Sequence, residues 1–210
     1  MVMDIKELKR QHFVRKEEIK RRLEEFKRVQ KKPDKEIFAE LAFCVLTPQS
    51  KAFNCWNAVL ELQKTGLLYN GKHSEIGKVL QKKVRFHNNK AKYIVENRKL
   101  FVNGLKEKIF SEKDNRALRK HLVENVRGYG YKEASHFLRN IGFRDLAILD
   151  RHILKHLVNL RVIEEVPKSL TEKRYMEIEQ KFLEFSEKIG IPIDELDLLF
   201  WSSETGEVFK

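Results

Sequence analysis

The sequence predicts an all-α protein. Apolar residues recur at spacings of three and four through most of the 210-residue chain, the signature of helices with one buried stripe. No segment alternates apolar and polar residues over a strand's length, and no internal repeat or low-complexity tract interrupts the pattern.

Residues 4–32 form a charged run whose sparse apolar face is Ile5, Leu8, Ile19, Leu23 and Phe26. Pro33-Asp34 ends it, with Asp34 placed to cap the next helix. Ile37, Leu41, Cys44 and Val45 make a strong stripe that stops at Thr47-Pro48. Ser50 is a cap for a following helix with Phe53, Trp56 and Leu60 on its face, closing near Gly66. Ile76, Val79 and Leu80 mark another helix, and Ala91, Ile94, Val95 and Arg98 one more. Leu105 to Phe110 is ambiguous. Leu118, Leu122 and Val126 precede a short glycine turn, and Ala134, Phe137, Leu138 and Ile141 follow it. A helix over about Arg151 to Leu160 comes next. Ser169 and Glu172 have capping-box spacing ahead of a helix bearing Ile178, Phe182 and Phe185. Leu196, Leu199 and Phe200 belong to the last helix.

Charged residues make up 35% of the chain and the net charge is +12, unevenly spread. Residues 81–99 hold seven Lys/Arg against Glu96 alone, whereas residues 193–210 hold five Asp/Glu against Lys210. A basic stripe beside an acidic tail suggests a polyanion-facing surface and hence a nucleic-acid partner. No run approaches eighteen apolar residues, and the stretch Met1 to Arg10 is charged without an apolar leader, so a cytoplasmic protein is expected. Cys44 and Cys55 are the two cysteines, within helical patterns and without a C-x-x-C partner. They read as reduced core residues and are too few for a four-cysteine iron–sulfur cluster. A zinc site is equally unsupported.

The most informative stretch is Asn125-Val126-Arg127-Gly128-Tyr129-Gly130-Tyr131-Lys132-Glu133-Ala134-Ser135-His136-Phe137-Leu138. Two helices joined by so short a turn fold back on each other. Gly128 and Gly130 are expected to take φ > 0 there, and the amides that open the second helix form a natural phosphate site. A bare G-x-G is equally an ordinary helical corner, but the longer string is more specific. With Leu146-Ala147-Ile148-Leu149-Asp150-Arg151-His152-Ile153-Leu154, it resembles the helix-hairpin-helix DNA glycosylases, and most of all the archaeal-type 8-oxoguanine DNA glycosylase/lyases. That family carries a lysine just past the hairpin and an aspartate about eighteen residues later; here these match Lys132 and Asp150 (150 − 132 = 18). The likeness is specific over Arg127–Leu154 and Leu196–Lys210, and looser from Ile37 to Leu100.

The resemblance implies a two-lobed helical fold without an iron–sulfur cluster. One lobe would be residues 33–145, with the hairpin at about 115–142; the other would be residues 1–32 plus 146–210. Lys132 and Asp150 would face each other across the cleft between them. A monomer acting on damaged double-stranded DNA is expected, with no cofactor and no protein-ligated metal; the resemblance leaves open a monovalent cation at the hairpin carbonyls. Lysine is chemically suited to such a reaction. A neutral amine attacks C1′, expels the base and leaves a Schiff base that permits β-elimination of the 3′ phosphate. An ordinary lysine is protonated at neutral pH, so its surroundings must favour the neutral form. A carboxylate at position 150 would stabilise positive charge developing on the sugar. Lys132 could also be a solvated surface residue and Asp150 a plain N-cap of the following helix.

A flipped base needs stacking partners and edge contacts. Phe86, inside Lys82-Lys83-Val84-Arg85-Phe86, and Trp201 match the family's aromatic positions, and Lys210 matches its terminal lysine, whose carboxylate could read the N1–H and N2–H₂ edge of a purine. Gln49 lies where the family tends to read L-T-A-N but this chain reads Leu46-Thr47-Pro48-Gln49. The hairpin departs mildly as well, with Arg127-Gly128-Tyr129-Gly130 against the usual K-G-I-G. His136 and His152, on helices beside apolar stripes, read as structural. Competing readings are a hairpin glycosylase for another lesion and a non-catalytic hairpin DNA-binding module; the latter would need neither Lys132 nor Asp150.

Overall fold

The computed structural model describes residues 4–210. Met1–Met3, part of the charged start considered above, lie outside the described residues. Among the described residues the regular elements are twelve helices: α1 (Ile5–Val29), α2 (Asp34–Leu46), α3 (Ala52–Lys64), α4 (Leu67–Asn70), α5 (His73–Leu80), α6 (His87–Val102), α7 (Leu105–Ser111), α8 (Asn115–Asn125), α9 (Tyr131–Asn140), α10 (Arg151–Asn159), α11 (Glu172–Ile189) and α12 (Ile193–Thr205). The all-α expectation holds. The chain divides into two compact units, one of Val29–Ile141 and one of the flanking stretches, up to Arg28 and from Gly142 onward.

The Val29–Ile141 unit is built on α2. Every residue from Ile37 to Leu46 is buried, so this helix is covered on all sides, by α3, α6, α7 and α9. Helices α8 and α9 form the hairpin pair and pack on each other, and Leu118, Leu122, Ala134, Phe137 and Leu138 are all buried.

The other unit packs α10 and α11 against α12, whose residues from Ile193 to Phe200 are all buried. Leu8, Ile19, Leu23 and Phe26 of α1 are buried as the stripe predicts, while Ile5 is exposed. Three of the five acids of the C-terminal stretch, Asp194, Glu195 and Asp197, are buried. Glu195 pairs with His12 at 2.6 Å, and Asp194 accepts the Asp145 amide at 3.2 Å. The apparent acidic tail is therefore largely internal structure.

Several local expectations are corrected. Pro33, not Asp34, is the N-cap of α2; proline fixes the extended turn and Asp34 becomes the first helical residue. Lys51 occupies the N-cap of α3, because the Ser50 hydroxyl is engaged elsewhere. Thr171, not Ser169, caps α11, accepting the Arg174 amide. On α3 the buried face is Cys55, Ala58, Val59 and Leu62, while Phe53 and Leu60 are exposed. Both sets have helical spacing, and the narrower residues fit the close approach of α3 to α2. The ambiguous Leu105 segment is the helix α7.

Candidate active site

The hairpin turn is held from beneath. Asn97, fully buried on α6, donates to the Arg127 carbonyl at 3.0 Å and accepts the Arg127 amide at 2.8 Å. Tyr129 points inward, its hydroxyl donating to the Leu41 carbonyl at 3.0 Å. Tyrosine in place of the family's isoleucine is thus a buried anchor. Gly128 has φ 91°, and a Cβ there would come within 2.7 Å of the Tyr93 ring. The expectation of φ > 0 fails at Gly130, whose φ is −109° and whose amide donates to the Glu133 carboxylate at 3.1 Å. We therefore expect Gly128→Val to strain the turn by roughly 1–3 kcal/mol and to weaken binding to damaged and undamaged duplexes alike, since a phosphate carries no sequence information. Comparative titrations check this; a selective loss for damaged DNA would contradict it.

Lys132 is the second residue of α9, half-buried. Its Nζ donates to Thr47 Oγ1 at 3.3 Å and stands 3.7 Å from Glu133 Oε1. Thr47, just past the end of α2, donates its own hydroxyl to the Cys44 carbonyl at 3.0 Å, so its oxygen is oriented to accept from the lysine. A second cation shares this region. Lys90 is buried, and burial first, with the charges of Lys132 and Arg85 adding, pushes its ammonium down to about 8, against the opposing influence of Cys55 and Glu133. Burial likewise pushes the Cys55 thiol up to about 11, which leaves it unreactive. Sequence reading missed Thr47, Glu133 and Lys90 as parts of this environment. Thr47 registered as a helix stop and as part of the Leu46–Gln49 stretch, without a role of its own, and Lys90 only as one member of a basic run.

The two base-binding candidates in this unit both lie on unusual backbone. Gln49 is exposed with φ 55°, and Phe86 is exposed with φ 57° at the N-cap of α6. The Arg85 guanidinium lies 5.5 Å from the Phe86 ring centre. The basic stripe is less uniform than its sequence suggests: Lys90 is internal, Arg98 donates to the carbonyls of Leu67, Leu68 and Gly71, and Lys83 pairs with Glu61.

In the other unit, Asp150 opens α10. Its Oδ1 accepts the amides of His152 at 2.8 Å and Ile153 at 2.9 Å, and its charge lies at the positive end of the helix dipole. The approach to it is braced by α11. Tyr175 donates to the Ala147 carbonyl at 2.6 Å and accepts the Leu149 amide at 3.3 Å, while Glu179 accepts the Ala147 amide at 2.8 Å. Trp201 on α12 is half-buried, with the His152 ring edge-on at 5.7 Å. Glu204 lies 3.3 Å from both His152 Nδ1 and His156 Nε2, joining the start of α10 to the end of α12. His136 is a core residue, packed edge-on at 5.5 Å against Phe43, whereas His152 is half-buried beside Trp201. Lys210 ends a tail fastened to α1 by Arg22, which donates to the Val208 carbonyl at 3.3 Å, and by Arg15, which donates to that of Gly206 at 3.4 Å. Among the described residues no group of three or more His, Cys, Asp or Glu side chains is arranged to hold a metal.

A helical hairpin with a partly buried lysine at the head of its second helix, in an all-α chain, defines the helix-hairpin-helix class, and comparison with known proteins is more specific. A structure of the 8-oxoguanine DNA glycosylase of Thermotoga maritima superposes with a TM-score of 0.90 at 37% identity, covering 98% of each chain. The Methanocaldococcus jannaschii 8-oxoguanine glycosylase/lyase, solved with a 15-mer DNA containing 8-oxoguanine, gives 0.86 at 37% identity over 93% of each chain. A curated Fusobacterium nucleatum 8-oxoguanine DNA glycosylase/AP lyase is 50% identical over 91% of this chain and 90% of its own. The family model for 8-oxoguanine DNA glycosylase matches residues 19–191. The chain belongs to that family.

Proposed function

We propose that this protein is a bifunctional DNA repair enzyme that excises 8-oxoguanine from duplex DNA and then cleaves the strand on the 3′ side of the abasic site. The observation that carries the reading is Lys132 at the head of α9, hydrogen-bonded to a buried threonine, in a chain whose relatives are 8-oxoguanine DNA glycosylase/AP lyases.

In this reading the lesion is flipped out of the stack. The lone pair of Lys132 Nζ forms a bond to C1′, and the C1′–N9 bond breaks with its electrons to the base, which takes up a proton. Opening of the sugar ring gives the protonated Schiff base. Loss of a C2′ proton then expels the 3′ phosphate, and hydrolysis returns the amine. Asp150 stabilises the positive charge that develops on the sugar while it continues to cap α10. Gly128 lets the lesion strand's phosphate approach the hairpin; Gly130, with its amide on Glu133, supports the turn until that bond is exchanged for phosphate. Phe86 and Trp201 stack on the base, Gln49 contacts its edge, and the Lys210 carboxylate reads the purine N1–H and N2–H₂ edge. We take the enzyme to act as a monomer and without a cofactor. No helix among the described residues is long and apolar enough to cross a membrane, and we assign the enzyme to the cytoplasm, where its DNA substrate lies.

The reading is tested by borohydride trapping on duplexes bearing 8-oxoguanine, uracil, thymine glycol or 3-methyladenine. Trapping on 8-oxoguanine is expected; trapping only on another lesion would reassign the substrate, and none on any would leave a DNA-binding module.

Base choice makes a separate prediction. Guanine and 8-oxoguanine share the edge that the terminal carboxylate would read, and differ at N7, an acceptor in one and a donor in the other. A buried acceptor facing N7 would separate them by about 1–3 kcal/mol. Stacking contributes a similar amount per base without selecting among flat rings. Trp201→Ala is thus expected to slow excision of every accepted base by roughly tenfold or more. Residues fused after Lys210 are expected to disturb preference among purines more than DNA affinity; a fusion that leaves rate and preference unchanged would make the terminus a bystander.

A further inference from the structure

The ammonium of Lys90 is spent entirely inside the protein. It donates to the Leu46 carbonyl at 2.8 Å, the Pro48 carbonyl at 2.7 Å and Ser50 Oγ at 3.1 Å, using all three of its protons. Leu46 is the last residue of α2, so one bond satisfies a carbonyl at a helix C-terminus, where the dipole favours a cation. The other two grip the residues on either side of Gln49. Ser50 Oγ also accepts the Arg85 amide at 2.9 Å, and the Lys90 amide itself donates to the Phe86 carbonyl at 3.0 Å. Of the five exposed non-glycine residues with positive φ among the described residues, Lys90 therefore fastens two, Gln49 at φ 55° and Phe86 at φ 57°. Side chains with a Cβ avoid that region unless their surroundings hold them there, and such positions concentrate where a ligand is gripped.

We propose that Lys90, acting through Ser50, is a positioning residue that holds Gln49 and Phe86 ready for the flipped base; this rests on the reading that those two contact it. A lysine in a basic run ordinarily neutralises DNA phosphate, but Lys90 is only 4% exposed and its donors are occupied. A neutral side chain would leave the Leu46 and Pro48 carbonyls without this donor and release the loop. The clamp matters for holding a base, and less once the base is gone.

The test compares single-turnover excision of 8-oxoguanine with cleavage of a preformed abasic site, in the wild type and in Lys90→Met. Excision is expected to fall at least tenfold more than abasic-site cleavage. Ser50→Ala, which cuts the link to Arg85 but leaves the Lys90 carbonyl bonds, is expected to shift the same ratio less, and it decides the matter if Lys90→Met does not fold. Equal losses on the two substrates would overturn the clamp, since Lys90 would then serve the fold or Lys132 itself; no loss on either would overturn it too. Phe86→Ala and Gln49→Ala separate this from the underlying reading. Wild-type excision in both would remove the base-contact reading and the clamp with it, whereas a loss in either, beside an unselective Lys90→Met, would sink the clamp alone.

Discussion

Replacing Lys132 by glutamine is expected to abolish base release and Schiff-base trapping together, by on the order of 10⁴-fold or more, because the nucleophile for both steps is lost. DNA affinity should change little. The turn that would meet phosphate is fastened by Asn97 and Tyr129, not by Lys132, and glutamine can still hydrogen-bond Thr47. Single-turnover excision and a binding titration on the same preparation check both halves. Trapping that persists in the variant would place the nucleophile elsewhere; lost affinity without lost chemistry would make Lys132 a DNA contact.

Asp150→Asn is expected to slow excision by roughly 10²–10³-fold while leaving thermal stability nearly unchanged. The two effects separate because the cap needs only an oxygen. Oδ1 accepts the His152 and Ile153 amides, and an asparagine carbonyl can accept the same pair, but it brings no negative charge to the sugar. A variant of normal rate would reduce Asp150 to a cap.

The helices were legible in the sequence, and the lysine–aspartate pair was singled out there, for different reasons. A buried stripe repeats along a helix, so α2, α9 and α10 announce themselves. Lys132 and Asp150 are legible through spacing and flanking residues that match a family, something periodicity alone does not supply. The stripe misleads on α3, where two apolar faces share the same period and only packing against α2 decides between them. Capping misleads at Ser50 and Ser169, because a hydroxyl that can cap a helix can also serve a loop, and Ser50 serves Arg85 and Lys90.

What stayed hidden was tertiary. Charge counting treats Lys90 as one more surface cation, since a lysine whose donors meet carbonyls roughly forty residues earlier looks like any other in sequence. The left-handed backbone at Gln49 and Phe86 is equally silent: neither is glycine, and neither is a residue type that favours that region. Both positions fall where the base-contact reading lies, while Lys82, Asp145 and Arg161 take the same conformation outside it.

The central claim is that one particular amine forms the covalent intermediate. It is tested most directly by reducing the complex with 8-oxoguanine duplex in borohydride, digesting with nuclease and trypsin, and locating the sugar-phosphate remnant by mass spectrometry. The account predicts the adduct on Lys132, with trypsin failing to cut after that residue, so that the modified peptide runs from Gly128 to Arg139. An adduct on any other lysine or on the N-terminal amine, with Lys132 unmodified, would contradict it.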